Sequence, residues 1–174
     1  MKRLLIVLMT VFFLAGCASV DVADYRNEKP VLDLQTYFNG TVDAWGVFQD
    51  RSGKVVKRFH VVIESSWQGK VGTLDERFVY SDGTTQRRVW TVTKHDSGRY
   101  TGRADDVVGE AQGEAQGNAL RWRYTLALPV DGTVYNVEFD DWMFLMDDKT
   151  MLNRSFMSKF GVELGQVTLS FRKR

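Results

Sequence analysis

Asp140 and Asp141 stand together inside an apolar run, and Arg154 and Lys159 follow among methionines and phenylalanines. Adjacent aspartates on one strand point to opposite faces, so at most one of them can share a site with a later residue. Tyr135, Val137 and Phe139 mark one face of this segment, and continued alternation puts Asp141 on the same side as Phe139 and Met143. If that side is the interior, Asp141 is a buried carboxylate that must be paired or protonated. A turn centred on residues 147–149 brings Arg154 on the following strand to within a few residues of it, and the planar guanidinium can bind a carboxylate through two hydrogen bonds. Asn153 and Ser155 stand ready for the remaining polar groups. The functional version of this pairing is a polar floor that recognises a ligand head group. Two other versions compete with it: a structural ion pair tying two strands, the commoner use of such pairs, or a bulge that leaves both aspartates exposed.

The side chains around the pair are apolar and adaptable. Met143, Met146, Met151 and Met157 account for four of the six methionines, with Trp142, Phe144, Phe156 and Phe160 nearby. Such linings suit pockets for acyl chains or similar ligands, and ordinary core packing explains them equally well. The residues expected to meet a ligand are Asp141, Arg154, Trp122, Tyr124, Trp142, Met143 and Met157. Asp105-Asp106 and Asp147-Asp148 fall where turns are expected and read as solvated turn residues.

Other chemistry finds no support. The two histidines, His60 and His95, have no partner at metal-ligand spacing, and H-E-x-x-H, G-x-S-x-G and the phosphate-binding G-x-x-x-x-G-K-[ST] are absent. No cofactor and no metal site are expected, and no catalytic residue is assigned. An enzyme working with carboxylates such as Asp141 is the remaining enzymatic reading.

The elements that must position these residues are strands. From Gly40 onwards apolar and polar residues alternate with period two, broken by turn signals roughly every ten residues. Val42, Ala44, Gly46 and Phe48 share one face; Phe59, Val61, Ile63 and Trp67 another; Leu74, Phe78 and Tyr80 a third. Arg88, Trp90 and Val92 then alternate with Val89, Thr91 and Thr93. Leu120, Trp122, Tyr124, Leu126 and Leu128 alternate with Arg121, Arg123 and Thr125, and further strands cover 134–146, 151–157 and 162–172. The tandem Gly109-Glu-Ala-Gln-Gly113-Glu-Ala-Gln-Gly117 reads as a strand whose glycines permit a bend, before a turn at 116–118, or else as a flexible lip at a ligand mouth. With only Pro30 and Pro129 as breakers, this gives an all-β fold. We expect a single antiparallel up-and-down β-barrel or strongly curved half-barrel, lipocalin-like, with eight to ten strands, because closure hides the edges of so long a meander. Outward Arg58, Arg121 and Arg123 would be costly towards lipid, which argues against a membrane-spanning barrel. Residues 30–39 form a short turn or helix capping the domain.

The N-terminus carries an address. Lys2 and Arg3 precede the apolar run 4–14, too short to span a bilayer that needs about 20 apolar residues, so it reads as a signal peptide. It ends in Leu14-Ala15-Gly16-Cys17, which resembles the lipobox of bacterial lipoproteins. That resemblance implies cleavage before Cys17, lipidation of its thiol and acylation of the new amino terminus, and several chains anchor stably where one does not. The expected organisation is a signal peptide over 1–16, a lipidated tether over 17–29 and a barrel domain over 30–174. Ala18 after the cysteine implies an outer-membrane anchor facing the periplasm. Cys17 is the sole cysteine, so no disulfide or thiolate site remains. The leader holds two of the 23 basic residues and none of the 22 acidic ones, leaving a mature net charge of −1. A chain so poorly equipped to neutralise phosphates is not expected to bind nucleic acid. The partners expected are the membrane, through Cys17, and a hydrophobic small molecule; the oligomeric state is open.

Beyond the lipobox the chain resembles an uncharacterised proteobacterial lipoprotein family classed as a domain of unknown function. The matching stretches are Phe38-Asn39-Gly40 leading to Ala44-Trp45-Gly46-Val47-Phe48, Arg58-Phe59 and Trp122-x-Tyr124. Further matches are Phe139-Asp140-Asp141-Trp142-Met143, Asn153-Arg154-x-x-Met157 and Lys159-Phe160-Gly161. The architecture is also similar to lipocalin-like (calycin) barrels, which implies an apolar ligand. It departs from them in that Gly40 and Trp45 are separated by four residues in place of a G-x-W motif. Three functions follow: a carrier of a lipid or other apolar molecule, a structural envelope lipoprotein with a filled barrel, or a carboxylate enzyme.

Overall fold

The structure, a computed structural model, describes residues 20–130 and 132–174. The signal peptide and Cys17 lie outside the described residues. Ten antiparallel strands follow one another in chain order: β1 (Gly40–Asp50), β2 (Val55–Gln68), β3 (Val71–Tyr80), β4 (Thr85–Lys94), β5 (Arg99–Arg103), β6 (Ala111–Gln116), β7 (Ala119–Val130), β8 (Thr133–Leu145), β9 (Thr150–Lys159) and β10 (Val162–Lys173). Each pairs with the next, and β10 returns to β1, so the barrel is closed and has no free edge. The period-two pattern does its expected work: Val42, Ala44, Val61, Ile63, Leu120 and Phe171 are buried inside, whereas Arg58 and Arg123 are exposed on the outer face.

Two glycines on neighbouring strands make room for the Trp122 ring. A Cβ at Gly113 would stand 2.4 Å from the Trp122 ring, and one at Gly102 would stand 2.6 Å from it. Most of the GEAQ segment is strand β6, whose Gly113 leaves room for the Trp122 ring. β5, which lacks the alternation of its neighbours, was not apparent from the sequence.

One end of the barrel is plugged. Helix α1 (Leu34–Tyr37) is capped by Asp33, whose carboxylate accepts from the Thr36 amide at 2.9 Å. Asp33 also takes bonds from Lys94 and from the Tyr100 hydroxyl, and Tyr37 donates to the Lys149 carbonyl at 2.9 Å. Leu34 and Phe38 thereby face down into the barrel as its floor. The segment expected to be a free tether is ordered from Val22 onwards. A 3-10 turn over Val22–Tyr25 buries Val22, and the Tyr25 ring packs against Phe144 (5.2 Å) and Trp142 (6.0 Å). Aromatic side chains on the outer face of β8 give this stretch an apolar surface to settle on.

Candidate functional site

The barrel is not filled by its own side chains. A cavity of about 940 Å³ runs from the α1 floor to the opposite end, between the β3–β4 hairpin and the end of β7. Its walls are mostly aromatic and aliphatic: Phe59, Ile63, Phe78, Trp90, Tyr124 and Phe139 are representative. Trp90 meets Trp122 and Tyr124 edge to face, and Tyr124 stacks on Phe139 at 4.9 Å. Lys57, Tyr80, Thr84, Gln86, Arg87 and Pro129 line it towards the open end.

Set into this apolar wall is a polar group spread over four elements. Arg88 from β4 grips Asp106, with its Nε 2.9 Å and a terminal nitrogen 2.8 Å from the same oxygen. Glu76 from β3 stands 3.9 Å from the guanidinium. Burial works against the charge on Arg88, but the two carboxylates more than restore it. Burial pushes Glu76 up to about 7 even with Arg88 opposing the rise.

Asp141, from β8, lies across the cavity wall beside Tyr124 and Trp122 and is 8 % exposed. Burial pushes its carboxyl up to about 7; the Ser155 hydroxyl, its cross-strand neighbour, offsets part of the rise without reaching hydrogen-bond geometry. Burial and the Asp141 charge also raise the Tyr124 phenol. Asp141 Oδ1, Asn153 Oδ1 and Ser155 Oγ have no hydrogen-bond partner among the described residues. Asn153 donates its amide nitrogen to the Trp142 carbonyl at 3.3 Å, which leaves its oxygen unclaimed. Among the described residues no group of three or more His, Asp and Glu is placed to hold a metal ion.

The expected site is thus partly assembled and partly dispersed. Asp141, Trp122, Tyr124, Met143 and Met157 all line the cavity. Arg154 does not. The ladder sets Asp141 opposite Ser155 and Trp142 opposite Arg154, so Arg154 has the wrong parity and points outward. There it bonds to Gln166 at 3.1 Å and lies over the Phe156 ring at 4.4 Å. Trp142 is likewise outside, beside Phe144 and Tyr25. Asp106, expected to be a solvated turn residue, is the main partner of Arg88. The residues missed were Glu76 and Arg88. Their signal was available: both occupy the inward parity of strands whose other inward residues are Leu74, Phe78, Trp90 and Val92.

Residues 11–173 match the profile of a family described as "Protein of unknown function (DUF3833)", and the chain belongs to that family. No curated protein matches it. Among solved structures it is similar to an S-type phycobiliprotein lyase, CPES, from Guillardia theta, with a TM-score of 0.59, 7 % identity, and 82 % of this chain and 94 % of that one covered. A protein of unknown function from the DUF3598 family of Nostoc punctiforme is similar at a TM-score of 0.57 and 14 % identity, covering 90 % of this chain and 53 % of that one. At such identities the likeness is one of fold, that of lipocalin-like barrels.

Proposed function

We propose that this member of the DUF3833 family is an outer-membrane lipoprotein, anchored through Cys17 and facing the periplasm, that holds a lipid or other hydrophobic small molecule in its barrel. The observation that supports the carrier reading most is the open cavity of about 940 Å³ with aromatic and aliphatic walls. A structural barrel would gain stability by filling that space, since empty apolar volume forfeits packing contacts. The named activity of the phycobiliprotein lyase supports small-molecule handling only as an analogy of fold. Exposed apolar side chains at the hairpin tips of the open end, Val134 and above all Phe160 at 90 % exposure, suit loading from a membrane surface.

Titration with the neutral fluorophore N-phenylnaphthylamine tests the carrier reading. Saturable enhancement is expected, and Val167→Trp, which fills part of the cavity, should abolish it in a folded protein. No saturable binding by the wild type, or unchanged binding by the variant, would overturn it. For the anchor, Cys17→Ser should release the protein from the membrane fraction and end incorporation of labelled palmitate; retention of both would refute lipidation at Cys17.

A further inference from the structure

Asp141, Asn153 and Ser155 present three unpartnered polar atoms to one patch of the cavity wall. Their residues are 8 %, 3 % and 3 % exposed. Buried polar groups are almost always satisfied, because leaving one unpaired forfeits its hydration with nothing in return. Three orphans on two neighbouring strands, all lining the same void, therefore mark a place where a ligand supplies the missing bonds. Two of the three atoms can only accept: Asp141 when ionised, and Asn153 because its nitrogen is committed to the Trp142 carbonyl. The complementary group must donate.

Charge points the same way. Glu76, Asp106 and Asp141 line the cavity, and Arg88, the cation among them, is occupied by Asp106. Lys57 and Arg87, towards the mouth, are turned to Asp82 at 2.9 Å and Asp75 at 2.8 Å. A carboxylate or phosphate head group would find no free cation among these residues, whereas an ammonium would meet Asp141 with two further oxygens beside it.

Building on the carrier reading, we propose that the cavity selects amphiphiles bearing a primary ammonium, with the nitrogen seated on Asp141, Asn153 and Ser155 and the apolar body against the aromatic wall.

Isothermal titration of the full chain with dodecylamine, dodecanol and dodecanoate separates the two ideas. The amine should bind at least about tenfold more tightly than the alcohol, the scale of a hydrogen bond to a charged group, and the carboxylate most weakly. Asp141→Asn should remove about tenfold from amine affinity and leave the alcohol unchanged; Ser155→Ala should cost the amine a smaller factor. Equal binding of amine and alcohol, tighter binding of dodecanoate, or an amine preference that survives in both variants would overturn the head-group inference while leaving the carrier reading intact. Binding of none of the three would overturn both.

Discussion

Asp140 on the outer face of β8 is held by Arg121 at 2.8 and 2.6 Å and remains partly exposed, whereas Asp141, one residue on, faces the cavity with an oxygen that no group among the described residues meets. Two carboxylates adjacent in sequence thus experience opposite surroundings because a strand alternates its faces. The outer face of this wall is conventional: Arg121 lies over Trp142, Arg154 bonds to Gln166, and the remaining polar groups are open to solvent. Polar groups on the inner face look into the cavity and not onto bulk solvent. Arg88 and Asp106 satisfy each other within the protein, whereas the groups around Asp141 lack such a partner among the described residues. The contrast separates polar groups that hold the wall together from polar groups kept available.

Substitutions can break this contrast, and the largest effect belongs to the inner cluster around Arg88. Arg88→Leu leaves Asp106 and Glu76 without their counter-charge, and urea unfolding at neutral pH should show a loss of about 3 kcal/mol. A loss below about 1 kcal/mol would mean that this cluster is as hydrated as the outer face.

Asp141→Asn should act in the opposite sense. The folded-state value of Asp141 is raised to about 7 from an ordinary 3.8. Its protonated form costs nothing extra below about pH 4, and stability is then lost as pH rises through about 7. The variant lacks that loss. Its stability relative to the wild type should climb between about pH 4 and 7, by about 2–4 kcal/mol, and level off above. Glu76 is raised in the same direction, so the variant itself should still lose some stability over that range. A flat difference across this range would contradict the account of Asp141 as an unpaired interior carboxylate.

On the outer face the effects are small. Asp140→Asn should cost up to about 1 kcal/mol, and added salt should shrink that cost. Arg154→Ala should cost less than about 0.5 kcal/mol and leave amphiphile binding unchanged, because its side chain lies outside the cavity. A loss of binding in Arg154→Ala would reinstate the pairing with Asp141 that the ladder register rules out.

Much of the barrel was legible because period-two alternation records which side of a wall each residue occupies. Trp122, Tyr124, Met143 and Asp141 were placed on inward faces by that alternation, and Met157 by the run of methionines and aromatic residues around it. The failures are specific. Arg154 was assigned by approximate turn geometry, and a ladder shifted by one residue reverses a side chain's face. Trp142 was drawn in with its apolar neighbours, where an ordered N-terminal segment gives an outward aromatic residue its own partner. Glu76 and Arg88 broke the apolar pattern of the inward faces, and such breaks inform more about function than the pattern does. Their link to Asp106 depends on how the segment after β5 runs alongside β7, where Val107 bridges to Leu126, and no local periodicity encodes that.

Native mass spectrometry of the full chain purified from cells that express it is the sharpest check on whether the interior is a binding cavity. The account predicts a folded protein carrying a non-covalent apolar compound with an amine nitrogen, released on denaturation and absent from Val167→Trp. A folded wild type that is empty in every preparation, and that stays empty when dodecylamine is added, would contradict it.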